Sequence, residues 1–163
     1  MRSFLIVSLF AVALVARPAA AQVGLGIHLR ADQFMTDSAE YDWGNNYGGG
    51  FRFFWGEKKL RAYGSMDVML VHATSAPFYF GITGGIQWGP RGEAEGFWPY
   101  VGFGGGCVLD YGVTQTGHGN CSYAPTLGFF LPEIKRITPY VEAQYYMKAM
   151  MRHVSVLVGV TAR

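Results

Sequence analysis

From Gln22 onward, apolar and polar side chains alternate with period two over most of the chain. That is the repeat of a β-strand whose two faces meet different surroundings. In V-G-L-G-I-H-L-R, residues Val23, Leu25, Ile27 and Leu29 share one face and Gly24, Gly26, His28 and Arg30 the other. Tyr47 to Trp55 sets Phe51 and Phe53 against Gly50 and Arg52, and Leu60 to Leu70 sets Leu60, Ala62, Met66, Val68 and Leu70 against Arg61, Tyr63, Ser65 and Asp67. Phe78 to Trp88 opposes Phe80, Ile82 and Ile86 to Tyr79, Thr83 and Gln87, and Trp98 to Tyr111 opposes Val101, Phe103 and Leu109 to Tyr100 and Asp110. Cys121 to Leu131 is a weaker pattern, because Phe130 sits among Ser122, Thr126 and Gly128. Thr138 to Ala149 opposes Val141, Ala143, Tyr145 and Met147 to Glu142, Gln144 and Lys148, and Val154 to Ala162 opposes its four valines to Ser155, Gly159 and Thr161. No stretch after Gln22 carries a helical period, so the chain predicts an all-β, eight-stranded antiparallel up-and-down barrel.

The connectors differ in kind. Gly56 to Lys59, Gly89 to Gly96 and Pro132 to Ile137 are charged turns, whereas Ala31 to Gly44, Ala73 to Pro77 and Gly112 to Asn120 are polar loops and Met150 to His153 is tight. An even strand number returns both chain ends to the side of the charged turns. No internal repeat or linker marks a second domain.

The first 21 residues read differently. Arg2, the apolar run Phe4 to Ala16 and the small residues Ala19 to Ala21 form the three zones of a secretory signal peptide, with cleavage expected after Ala21. The run is too short to span about 30 Å of hydrocarbon as a helix. The expected organisation is therefore a signal peptide over 1–21 and a barrel over 22–163, working outside the cytoplasm.

Composition decides which face of the strands meets lipid. Of 163 residues, 50% are hydrophobic and 15% charged, against roughly 25% charged in soluble domains. A soluble barrel needs a polar exterior with many Lys and Glu, and these strands supply few. The apolar faces are thus assigned to lipid and the polar faces, with Arg30, Arg52, Arg61, Lys148, Asp67, Glu142 and Asp110, to a narrow lumen. Buried charges there need partners. A soluble, secreted ligand-binding barrel is the reading obtained if the faces are exchanged. Aromatic residues fit two interfacial girdles: Trp43, Tyr47, Phe78, Tyr111 and Tyr123 at one set of strand ends, and Trp55, Trp88, Phe97 and Tyr140 at the other. A formal charge of +2 and its scatter give no nucleic-acid footprint, and 26 aromatic residues exclude a disordered chain.

These features resemble the small eight-stranded outer-membrane barrels, the OmpA/OmpX-like or general outer-membrane β-barrel families. The likeness covers Gln22 to Arg163 and rests on A-A-A-Q at 19–22, the opening V-G-L-G-I-H-L-R, and the closing strands T-P-Y-V-E-A-Q-Y-Y and V-S-V-L-V-G-V-T-A-R. Such proteins usually end in an aromatic residue, and this chain ends Thr161-Ala162-Arg163. The resemblance implies a Gram-negative outer-membrane location, contact with outer-membrane lipid and with the barrel-assembly machinery, and no catalytic residues to carry over.

Candidate chemistry is sparse. Cys107 and Cys121 point the same way by parity, but a hairpin centred on Gly117 does not place them opposite each other, which leaves both a disulfide and two separate thiols open. His153 and Ser155 share a face of the last strand, the arrangement of a lipid-deacylating esterase, but no Asp or Glu follows them, and a turn about Met151 sets Glu142 opposite residue 160. His28, His72, His118 and His153 share no metal spacing. The G-G-G runs at 48–50 and 104–106 lack the Lys-Ser/Thr of a phosphate loop and read as close backbone packing. Asp32, Asp37, Glu40 and Asp42 make the Ala31 to Gly44 loop acidic, which fits a solvated loop better than a cation site. No catalytic, cofactor or metal residues are therefore assigned. The expected role is structural or interactive, with an extracellular partner contacted through loops 31–44 and 112–120 and no open diffusion pore.

Overall fold

The computed structural model describes residues 22–35, 45–56, 59–70, 78–90, 96–110, 120–147 and 152–162. These form eight strands: β1 (Gln22–Phe34), β2 (Asn45–Gly56), β3 (Leu60–Leu70), β4 (Phe78–Trp88), β5 (Trp98–Asp110), β6 (Asn120–Phe130), β7 (Ile137–Tyr146) and β8 (His153–Ala162). Each strand pairs antiparallel with its sequence neighbour, and β1 pairs with β8 to close the barrel. Closure gives every strand a neighbour on both sides, the arrangement by which a spanning sheet satisfies its backbone polar groups.

The faces fall as the alternation predicts. Val23, Leu25, Ile27 and Leu29, together with Phe51, Phe53, Met66, Val101, Phe103, Val156 and Val158, are exposed on the outside. His28, Arg30, Arg52, Arg61, Asp67, Gln87, Glu142 and Ser155 are buried inside. A folded chain that turns its aliphatic side chains outward and its charges inward is suited to a hydrocarbon solvent and not to water.

Strand ends need four corrections to the sequence reading. β1 runs to Phe34, so Ala31 and Asp32 belong to the strand and not to a loop; Asp32 keeps the inward parity of His28 and Arg30 and is buried. Tyr140, expected in a girdle, is 0% exposed inside the barrel. The outer belts hold Tyr47 and Tyr123 at the loop end, and Trp88 and Phe97 at the end carrying the charged turns, as expected, with the Phe97 and Phe129 rings 5.4 Å apart. Cys107 stands directly opposite Cys121 in the β5–β6 register and is bonded to it, which shifts the hairpin centre away from Gly117. Glu142 pairs with Leu157, and not with residue 160. Trp43, Tyr111, His72, His118, Lys148, residues 1–21 and most of both long loops lie outside the described residues.

The glycine runs are explained by close approach. A Cβ on Gly50 would lie 2.1 Å from the Met66 carbonyl oxygen and 2.6 Å from Asp67 Oδ1. On Gly104 it would lie 2.5 Å from the Tyr63 hydroxyl. Glycine there is the condition for large polar side chains to cross a narrow lumen.

Candidate functional site: the barrel lumen

Three layers of side chains fill the lumen. At the turn end, Phe54, Trp98, Phe130 and Tyr140 form an aromatic plug, with Trp98 stacked on Phe130 at 5.2 Å and Phe54 edge-on to Phe130 at 5.5 Å. The Arg61 guanidinium lies 4.8 Å from the Trp98 ring centre and 5.0 Å from that of Phe130, so ring faces help to compensate its charge. All these residues sit at inward parity, and hydrophobicity alone could not distinguish them from lipid-facing aromatics.

The middle layer is organised by Glu142 on β7. Its Oε1 accepts from Arg52 Nη1 at 2.8 Å and from Gln144 Nε2 at 2.6 Å, while Oε2 accepts from Gln87 Nε2 and the Tyr100 hydroxyl, both at 2.6 Å. Four donors from β2, β4, β5 and β7 thus converge on one carboxylate. That full satisfaction is what makes an ion in a low-dielectric interior tolerable. Arg52 also lies over the Tyr63 ring at 4.6 Å. Its Nε and Nη2, the Gln87 carbonyl oxygen and the Tyr140 hydroxyl have no side-chain or backbone partner, a pattern that suits buried water.

The loop-end layer is organised by Arg30 on β1. All three of its guanidinium nitrogens donate: Nε to Asp32 Oδ1 at 2.7 Å, Nη1 to Asp67 Oδ2 at 2.9 Å and Nη2 to Ser155 Oγ at 2.9 Å. Asp67 also bonds His28 Nε2 and accepts from Ser65, which shares a 2.6 Å hydrogen bond with Thr83. The Tyr79 hydroxyl donates to Asp32 Oδ2. Tyr146 stacks on His153 at 4.2 Å and donates to Gln144 Oε1 at 2.8 Å, which joins this layer to the one around Glu142.

The sequence reading placed four cations and two anions in the lumen, plus Asp110. Among the described side chains the balance is three and three: Arg30, Arg52 and Arg61 with Asp32, Asp67 and Glu142. Asp32 was the missing anion, and extending the β1 alternation by two residues would have found it. Tyr79, Tyr100 and Gln87 are legible in the sequence only as polar-face residues, since their acceptors Asp32 and Glu142 come from distant strands. His153 and Ser155 are both buried in the lumen, with the Ser155 hydroxyl taken up by Arg30, and so face away from the lipid. Glu142, the acid considered for them, is held by its own four donors. Among the described residues no group of three or more His, Cys, Asp or Glu could hold a metal ion.

A closed antiparallel barrel with an apolar belt outside and a hydrogen-bonded ionic lumen is a transmembrane β-barrel of the outer-membrane type. No protein-family description matches the chain by sequence, and no curated protein matches it either. Its fold is shared with solved outer-membrane structures. Neisserial surface protein A superposes with a TM-score of 0.57 at 13% identity, over 88% of this chain and 98% of that one. OprG from Pseudomonas aeruginosa gives 0.57 at 12%, over 87% and 94%. Ail, the attachment invasion locus protein of Yersinia pestis, gives 0.55 at 13%, over 86% and 96%. The chain therefore has the fold of the small eight-stranded outer-membrane barrels.

Proposed function

We propose that this chain resides in the outer membrane as a non-enzymatic barrel without a diffusion pore, a rigid scaffold that presents its loop-end segments to a partner outside the cell. Residues 1–21 act as the export signal and are removed, and the assembly machinery inserts the rest. The presenting segments are the loops expected at 31–44 and 112–120, shortened to start after Phe34 and to end before Asn120 because those residues are strand.

The observation that carries this reading is the filled lumen. Among the described residues the aromatic plug, the Glu142 layer and the Arg30 layer stack along the interior, which supports this reading because eight strands enclose a lumen just wide enough for side chains to fill. The esterase reading is disfavoured because His153 and Ser155 point into that filled interior. The outward role finds support in the fold shared with Ail, whose name records attachment and invasion.

Fractionation with unboiled and boiled electrophoresis tests the membrane assignment, and conductance of the purified barrel in planar bilayers tests the missing pore. Outer-membrane recovery, a heat-dependent mobility shift and no steady conductance are expected. Soluble recovery overturns the location, and a stable open channel overturns the closed scaffold.

A further inference from the structure

The β6–β7 connection at the turn end breaks the local rules of its own hairpin. Ile134 and Ile137 exchange backbone hydrogen bonds of 2.8 and 3.0 Å around a two-residue loop, Lys135–Arg136. Both loop residues have positive φ, 52° and 71°. This is the backbone of a type I′ turn, which strongly prefers Asn-Gly or Asp-Gly and which long side chains enter only against steric resistance. Below the turn, Leu131 to Glu133 stand opposite only Thr138 and Pro139, because Phe130 pairs with Tyr140 and Ile134 with Ile137. The extra residue is a bulge, a device that bends a hairpin and redirects its tip.

Every residue from Leu131 to Ile137 is exposed, including Leu131, Ile134 and Ile137, with Ile134 at 63%. Three apolar side chains, two cations and the single anion Glu133 therefore share one small projection, whose net charge is positive. The projection continues the strand ends that carry Phe129, Phe97 and Trp88, the outer aromatic belt of this end. Aromatic belts mark the headgroup level, where apolar residues seat at the acyl boundary and cations meet phosphates. A strained site that could be relieved by two common residues, yet holds Lys and Arg, points to a task other than turning the chain.

We infer that the Leu131–Ile137 tip docks on anionic phospholipid headgroups of the leaflet at the turn end, with Lys135 and Arg136 as the phosphate-binding pair and Ile134 seated beside them. The inference rests on the membrane-barrel reading above and adds a lipid class and a binding element to it. Glu133 tunes the site by holding the tip to one net positive charge.

Native mass spectrometry of the full barrel in detergent, titrated with phosphatidylglycerol or phosphatidylcholine, tests it. Lys135→Asn/Arg136→Gly removes both charges while supplying the preferred turn residues. Each basic residue near an anionic surface contributes about fivefold in affinity, so the first phosphatidylglycerol adduct weakens by about tenfold or more, phosphatidylcholine binding is unchanged, and the thermal unfolding midpoint stays level or rises. Lys135→Gln/Arg136→Gln, which keeps the unfavourable turn, shows the same loss, and Lys135→Arg/Arg136→Lys retains binding. Equal phosphatidylglycerol affinity in all variants, or a loss shared by phosphatidylcholine, overturns the inference. A heat-modifiable barrel with charge-blind lipid binding refutes this site alone, whereas a chain soluble without detergent refutes the membrane reading and this site with it.

Discussion

Arg30 on β1 reaches Asp67 on β3 across the lumen, Nη1 to Oδ2 at 2.9 Å, although β2 lies between their strands. The contact skips a strand because Gly48 and Gly50 leave β2 with no side chain at that level, and a Cβ on Gly50 would collide with Asp67 itself. Glycines on one strand thus permit an ion pair between its two neighbours. The pair in turn ties β1 to β3 independently of the backbone ladder.

Asp67 compensates Arg30 and is bonded to His28. Asp67→Ala is expected to leave Arg30 Nη1 and His28 Nε2 buried without an acceptor, while Arg30 keeps Asp32 and Ser155, at a cost of about 1–3 kcal/mol. Asp67→Asn keeps an acceptor oxygen and should cost less. Urea titration of the refolded barrel in micelles, followed by the heat-dependent gel shift, reads the order wild type, Asp67→Asn, Asp67→Ala. Equal stability of wild type and Asp67→Ala would mean that water replaces the carboxylate freely and that the lumen is wet.

Glu142 and Arg52 should behave as a coupled unit. Glu142→Ala removes the common acceptor of Arg52, Gln87, Tyr100 and Gln144, and Arg52→Met leaves the carboxylate with its neutral donors. Each single change destabilises, and the double change Arg52→Met/Glu142→Ala is expected to cost less than the sum by about 0.5–3 kcal/mol, the range for residues in one network. A double-mutant cycle in urea gives the coupling directly. Additive losses would place Arg52's stabilisation in its contact with the Tyr63 ring.

The fold was legible because lipid and lumen impose opposite demands on alternate residues, and eight runs of period two survive in the chain. Leu60–Leu70 and Phe78–Trp88 were read to the residue. Legibility ended where the two demands coincide. Trp98, Phe130 and Tyr140 are apolar yet inward, so hydrophobicity could not separate plug from girdle, and Tyr140 was assigned to the wrong side of the wall. The network around Glu142 was equally hidden, since four donors on four strands meet only once the register is known. Asp32 is the opposite case: its parity already pointed inward, and only the acidic run that follows it suggested a loop.

The Cys107–Cys121 bond joins directly opposed residues near the loop end, with a sequence separation of 14. Closing a loop of that size limits the unfolded chain and stabilises the fold by about 3 kcal/mol. Reduction, or Cys107→Ser/Cys121→Ser, should therefore lower the urea midpoint without abolishing the heat-modifiable band, because both residues face outward and leave the lumen network intact. Comparing oxidised and reduced barrels by the same titration checks this. Loss of the folded band on reduction would show that the bond is needed for closure itself.

Gly128 offers the sharpest test of lumen packing. A Cβ there would sit 2.5 Å from the Tyr100 hydroxyl oxygen and 2.7 Å from the Val141 carbonyl oxygen, and that hydroxyl is a donor to Glu142 Oε2. Gly128→Ala should push the phenol off the carboxylate, with a cost of about 1–3 kcal/mol typical of overpacking. Removing the hydroxyl first, as in Tyr100→Phe, deletes both the nearest clash and the hydrogen bond that the clash would break. Gly128→Ala is thus expected to be milder in the Tyr100→Phe background than in wild type, even though Tyr100→Phe alone destabilises. Unfolding midpoints of the four proteins decide the matter. An undiminished loss in the Tyr100→Phe background would assign the intolerance at Gly128 to the ring carbon at 2.6 Å and the β7 carbonyl at 2.7 Å, both of which remain, and not to the hydrogen bond on Glu142.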